Sequence, residues 1–142
     1  MEYYLIQATT KDKSIILKYK LKTIVNNSMD KDTIIKIKKY IINNLKEHLK
    51  DYKVIVHDNI IIEIVCYYLL EDYCLLDEIY LIKEYRNKGI CTSIIKEILE
   101  KSNKDVCLYV YKDTTKAITL YKKLGFCISL EEKERYKMKH IK

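Results

Sequence analysis

The chain has 142 residues, 49% apolar and 33% charged, a balance that fits one water-soluble globular domain and excludes a disordered or membrane-embedded chain. Lys and Arg number 27 against 20 Asp and Glu, a formal charge of +7. That excess favours an anionic partner (nucleic acid, an anionic cofactor or a membrane surface), or it is a lysine-rich wetted face.

In chain order, "YYLIQA" (3–8) has the composition of a short strand, and Thr9 or Thr10 can cap the helix that follows. Apolar residues at helical spacing predict a helix over 12–26. A second is predicted over 32–50, capped by Asp30 or Asp32, with Ile34, Ile37, Ile41, Leu45 and Leu49 on one face. "KVIVH" (53–57) and "IIIEIVCYYLL" (60–70), separated by the turn pair Asp58-Asn59, predict a hairpin. A third strand, "CLLDEIYLI" (74–82), runs into the basic loop Arg86-Asn87-Lys88-Gly89-Ile90-Cys91. A helix follows with Ile90, Ile94, Ile95, Ile98 and Leu99 on its apolar face. "VCLYVY" (106–111) is a strand. Asp113 or Thr114 then caps a helix that turns Ala117, Ile118, Tyr121 and Leu124 inward and ends at Gly125, a residue suited to the left-handed position after a helix. "FCISL" (126–130) and "RYKMKHI" (135–141) are the last strands. The order is β-α-α-β-β-β-α-β-α-β-β, an α/β (α+β) arrangement in which helices flank a mixed sheet.

The five cysteines (Cys66, Cys74, Cys91, Cys107, Cys127) never approach CxxC spacing, and the three histidines (His48, His57, His140) form no HxxxH pair. No disulfide and no metal are expected, and reduced thiols point to a cytoplasm. No window reaches ~18 uncharged apolar residues and the N-terminus lacks a basic stretch followed by an apolar run, so neither a membrane span nor a signal peptide is expected.

The loop holds one of only two glycines. A strand that ends, a tight basic loop and a helix start together form an anion site, because the first helical N–H groups lack intrahelical acceptors and the helix dipole adds positive potential. Gly89 lets the backbone approach a phosphate or take φ > 0; Arg86 and Lys88 bring full charges, and Thr92 a hydroxyl. The pattern is neither GxxxxGK[ST] nor GxGxxG. A glycine turn with incidental surface charges fits the loop equally well.

The companion segment "YVYKDTTKAITLYKKLGF" (109–126) changes the weighting. Arg-x-x-Gly-x-small before a helix, then Ala117, Tyr121, Gly125 and Phe126, resemble the GCN5-related N-acetyltransferase (GNAT) family over about residues 74–126, and the element order extends the likeness to the whole chain. The resemblance implies a single domain over 1–142, with a mostly antiparallel central sheet. Residues 1–52 would form the acceptor side, and 53–142 the sheet and CoA-binding core. It implies acetyl-CoA as co-substrate and no metal. Backbone amides of Asn87, Lys88, Gly89, Ile90, Cys91 and Thr92 would hold the pyrophosphate, with Arg86 bracing the turn. Strand 74–82 would splay from 106–111, and the pantetheine arm would pair with the backbone of Leu81 and Ile79. Thr114 and Ala117 would border the cofactor from the next helix. Tyr121 matches the family tyrosine that lies near the thioester sulfur and often protonates the departing thiolate, which makes it the candidate general acid.

Amine attack on a thioester also needs a proton acceptor. Glu78, an acid in an otherwise apolar strand three residues before Leu81, is the candidate base, or else a structural ion pair; Asp77 points to the opposite face by strand alternation. Three positions depart from the family pattern. Cys91 stands where Gly or Ala is usual, and Thr114 where Asn is common. Glu63 replaces a frequent glycine and either faces solvent or supplies a second acid near the acceptor. The acceptor would be a small-molecule or peptide amine, and the lysine-rich first half favours an acidic or neutral one over a polyamine. The alternating last strand "RYKMKHI" could pair across a homodimer. The rival readings are a non-catalytic acyl-CoA sensor and a small basic nucleic-acid-binding domain; for the latter no RNP-type aromatic motif, GxxG loop or zinc spacing is present.

Overall fold

The computed structural model describes residues 2–142. The elements are β1 (Tyr4–Gln7), α1 (Lys13–Ile24), α2 (Lys31–His48), β2 (Tyr52–His57), β3 (Ile60–Leu69), β4 (Tyr73–Leu81), α3 (Ile90–Lys101), β5 (Asp105–Tyr111), α4 (Thr115–Lys123), β6 (Cys127–Glu131) and β7 (Arg135–His140). The order is the expected one. The strands form a mostly antiparallel seven-stranded sheet, β1-β2-β3-β4-β5-β7-β6. The chain divides into two compact units, Met1–Cys66 with Glu78–Lys83 and Tyr67–Asp77 with Glu84–Lys142.

In the first unit local chemistry starts each helix. The Thr9 N–H donates to the Asp12 carboxylate at 2.8 Å, and the chain makes a 3-10 turn before entering α1. Asp30 caps α2 by accepting the Thr33 N–H at 2.7 Å. Its apolar stripe is the expected one, with Ile41 and Leu45 buried. Between β2 and β3 both turn residues are left-handed, Asp58 at φ 49° and Asn59 at φ 63°, the conformation a tight two-residue hairpin demands.

Leu5, Ile55 and Glu63 are directly opposed across β1, β2 and β3 and therefore share a face. Glu63 is 0% exposed, as is Ile55. Neither Glu63 carboxyl oxygen has a hydrogen-bond partner among the described residues. This corrects the solvent-facing reading: the strand carries the acid into an apolar layer. Burial pushes the Glu63 carboxyl up to about 8.

In the second unit β4 pairs in parallel with β5 over Tyr73–Leu75 and Asp105–Cys107, and α3 is the crossover between them. Ile90, Ile94, Ile95 and Ile98 of α3 are buried. Gly125 follows α4 at φ 99°, as expected of a helix-ending glycine. β7 pairs with β5 on one side and β6 on the other. The last strand therefore has no open edge, and the expected pairing across a dimer through it is not available; β6 is the edge strand of the unit.

One register feature bears on the site. The Leu70 N–H donates to the Tyr73 carbonyl, and the Ile82 N–H to the Ile62 carbonyl, each at 2.9 Å. Between these bonds β3 takes eight steps and β4 nine. The extra residue makes a bulge in β4. Strict alternation, which would set Asp77 and Glu78 on opposite faces, does not hold along the whole strand.

Glu63 makes stability pH-dependent with a definite sign. Its folded value, about 8, lies above the ordinary 4.5, so the folded chain keeps a proton that the unfolded chain releases. The stability that Glu63 contributes is greatest below pH 4.5, falls as pH rises, and levels off above 8. Its full loss is on the order of 5 kcal/mol. Glu63→Gln should remove that slope, so that in urea unfolding the variant exceeds the wild type at pH 9 by a few kcal/mol and by little near pH 5. Parallel pH dependences for the two proteins would contradict the assignment.

Candidate active site

A 3-10 turn at Lys83–Tyr85 leads from β4 toward the basic loop. Asn87 is left-handed at φ 62° and Gly89 at φ 79°. Two such residues so close together reverse the chain sharply, and Gly89 becomes the N-cap of α3. The helix's own bonds begin where the Ser93 N–H reaches the Gly89 carbonyl at 3.0 Å. The N–H groups of Ile90, Cys91 and Thr92 fall outside that ladder. Arg86, Asn87, Lys88 and Gly89 are exposed, Ile90 is buried, and Cys91 and Thr92 are half-buried. A Cβ built on Gly89 would meet nothing within 4 Å. The glycine is needed for its backbone angle, and the space before it is open to a ligand. The Lys88 ammonium lies 5.5 Å from the centre of the Tyr85 ring.

Tyr121, on α4, is half-buried with its ring centre 5.8 Å from that of Phe126, and its carbonyl accepts the Phe126 N–H at 2.9 Å. Burial first, and then Cys91, push the Tyr121 hydroxyl up to about 12. Two residues that the sequence placed in separate motifs are thus brought together. The Tyr121 hydroxyl has no hydrogen-bond partner among the described residues. Thr114 is the N-cap of α4; its N–H donates to the Tyr111 carbonyl at 3.0 Å, and Ala117 lies half-buried in the first turns.

Past the Leu75–Cys107 pair a pocket of about 190 Å³ opens, lined by Leu76, Asp77, Tyr109, Val110, Tyr111 and Arg135. Strand parity sets its Tyr109, Tyr111 and Arg135 on the face away from Tyr121, while its Val110 lies on the other face. Phe126 stacks with Tyr121 and with His140, which shares its face with Val106, Leu108 and Met138. Tyr109, Tyr111, Arg135 and Lys137 are on the other face.

In the first unit Glu78 is held from two sides. The Lys20 ammonium donates to Glu78 Oε2 at 2.7 Å and to the Tyr52 hydroxyl at 2.6 Å, and that hydroxyl donates to the same Oε2 at 3.1 Å. Oε1 takes no hydrogen bond among the described residues. Ile79 is half-buried and Leu81 buried on the same stretch of β4. Sequence reasoning missed Lys20, Tyr52 and Arg135. Lys20 lies 58 residues from Glu78, so only the folded chain could reveal the pair.

A mixed sheet whose parallel strands are bridged by a helix with a basic, glycine-capped start belongs to the class of folds that present a helix N-terminus to phosphate-bearing ligands. The model of the acetyltransferase (GNAT) family matches residues 21–126, and the chain belongs to that family. No curated protein matches it. Among solved structures it is similar to the PaiA N-acetyltransferase of Thermoplasma acidophilum in complex with coenzyme A (16% identity, TM-score 0.73, 100% of each chain covered). It is also similar to an N-acetyltransferase from Staphylococcus aureus Mu50 (15% identity, TM-score 0.78, 96% of this chain and 99% of that one). A third is Arabidopsis thaliana Naa50 in complex with the bisubstrate analogue CoA-Ac-MVNAL (18% identity, TM-score 0.67, 98% of each). At these identities the likeness is one of fold.

The two glycines should respond differently to substitution. Gly89→Ala meets only the left-handed backbone penalty, about 1 kcal/mol. Gly125→Ala adds a Cβ 3.1 Å from the His140 ring and should cost more. Urea midpoints of the two variants give the order directly; equal losses would refute it.

Proposed function

We propose that the protein transfers the acetyl group of acetyl-CoA to a primary amine by direct attack in a ternary complex. The observation that carries this reading is the meeting, within one unit, of two features. One is an open helix start flanked by Arg86 and Lys88; the other is Tyr121, a half-buried tyrosine whose hydroxyl has no hydrogen-bond partner among the described residues. Family membership supports it, and so do two structural neighbours, one solved with coenzyme A and the other with a CoA-containing analogue.

On this reading the N–H groups of Asn87 to Thr92 receive the pyrophosphate, with Arg86 and Lys88 adding charge. Ile79 and Leu81 offer strand backbone to the pantetheine arm, and Thr114 and Ala117 border it from α4. Acetyl-CoA supplies an activated thioester. The amine nitrogen forms a bond to the acetyl carbon, the C–S bond breaks, and the electron pair leaves on sulfur. Glu78 takes the amine proton on Oε1, while Lys20 and Tyr52 fix the carboxylate through Oε2.

Magnitude decides the part played by Tyr121. Burial pushes the Tyr121 hydroxyl up to about 12, so it is still protonated when the thiolate departs. It donates a hydrogen bond to the departing sulfur, and water supplies the proton. The same high value keeps Tyr121 a donor throughout the physiological range.

An acceptor screen with detection of released thiol tests the reading. Gly89→Glu should abolish CoA binding, measured by calorimetry, by placing a carboxylate where phosphate belongs. Salt-sensitive nucleic-acid binding without CoA affinity would overturn the proposal. Tyr121→Phe should lower kcat about 10- to 100-fold, evenly across pH 6 to 10, for loss of one hydrogen bond to an anion. Glu78→Gln should lower kcat/KM by about 100-fold or more and flatten the rise of rate with pH. An unchanged profile would remove Glu78 as the base.

A further inference from the structure

The outer face of β5 and β7 carries charge and aromatic surface to which the proposed function assigns no role. Tyr109 lies opposite Lys137 in the register, and Tyr111 opposite Arg135. The Arg135 guanidinium carbon lies 4.0 Å from the centre of the Tyr109 ring, and its Nε–H is bonded to Glu132 Oε1. One face and one edge of the guanidinium are thus fixed. The remaining edge, with both Nη groups, makes no hydrogen bond among the described residues. A planar fork oriented in this way is built to take a carboxylate with two parallel hydrogen bonds. The charge balance of the face agrees. Lys139 is paired with Asp105 at 3.4 Å, whereas Lys137, over Tyr73 and Tyr109, has no carboxylate within 4.0 Å among the described residues. Asp77 is the single acid among the residues that line the pocket.

We propose that the acetyl acceptor is a small zwitterion, an α-amino acid or a close amino-carboxylate, bound with its carboxylate on Arg135. The reaction assigned to it rests on the acetyl-transfer reading; the binding does not. The pocket's roughly 190 Å³ holds about six waters' worth of atoms, room for an amino acid backbone but not for a run of peptide. A neighbouring pocket of about 390 Å³, sharing Tyr111 and Arg135, takes the side chain. A polyamine would bring a second cation against Arg135 and Lys137. A peptide N-terminus lacks a carboxylate next to its amine.

The experiment compares free amino acids with their amides as acceptors, and measures binding of the same compounds without acetyl-CoA by saturation-transfer NMR. At least one free amino acid should exceed its amide about 10- to 100-fold in kcat/KM. Arg135→Gln should bring that ratio close to one while CoA affinity stays unchanged. Lys112→Gln, which removes a cation just after β5 that lines neither pocket, should preserve the ratio. If Arg135→Gln fails to fold, Arg135→Lys replaces it and should lower the ratio several-fold, because a point charge lacks the fork. Equal rates for acids and amides, or a ratio indifferent to Arg135, overturn the proposal. Should no compound turn over, NMR decides: amino acid binding lost in the Arg135 variant supports the site, and no binding overturns it. Failure of the wild type to bind CoA would sink the transfer reading alone and leave the NMR result standing.

Discussion

Two neighbouring strands that run parallel cannot be joined by a tight turn; the chain has to cross over. β4 and β5 are such a pair, and α3 is the crossover. The constraint has consequences for the second unit. Pairing in parallel sends the chain back along the sheet, so α3 must start near the ends of the strands it connects. Asn87 and Gly89 make that reversal possible within a few residues because both accept positive φ. The start of α3 is therefore tight, basic and open. The last residues of β5, Tyr109 to Tyr111, line the pocket beyond the paired stretch. Topology thus places both the open helix start and the pocket.

Two glutamates of the first unit show how donors decide the fate of a strand acid. Glu78 meets the Lys20 ammonium and the Tyr52 hydroxyl, and the ion pair is mostly shielded from water. Glu63 meets Leu5 and Ile55 across the strands and finds no donor among the described residues. An ionised carboxylate is too costly to bury without a partner, so Glu63 is driven to its neutral form. The residue type is the same, and so is the kind of element. Only the chemistry of the packed neighbours differs.

The same register argument separates the two faces of β5 and β7. One is occupied by Met138 and His140, against Phe126 and Tyr121; the other presents tyrosines and cations. A period of two along each strand makes this division sharp.

The element order, the apolar stripes, the Asp30 cap, the Asp58-Asn59 turn and the helix-ending Gly125 were all legible in the sequence. Each depends on residues within a few positions of one another. The basic loop and Tyr121 were legible too, as two short motifs in the right elements. The extra residue in β4, the interior position of β7, the Lys20–Tyr52 hold on Glu78, the isolation of Glu63 and the stack of Arg135 on Tyr109 were not. These depend on strand order and register between segments up to dozens of residues apart. A shift of one residue would turn every side chain to the other face. The sequence by itself determined where helices start and stop and which loop can meet an anion, because short-range backbone chemistry decides those. Tertiary structure alone decided which acid is paired, which is stranded and which arginine is oriented, because those follow from what the folded chain sets beside each side chain.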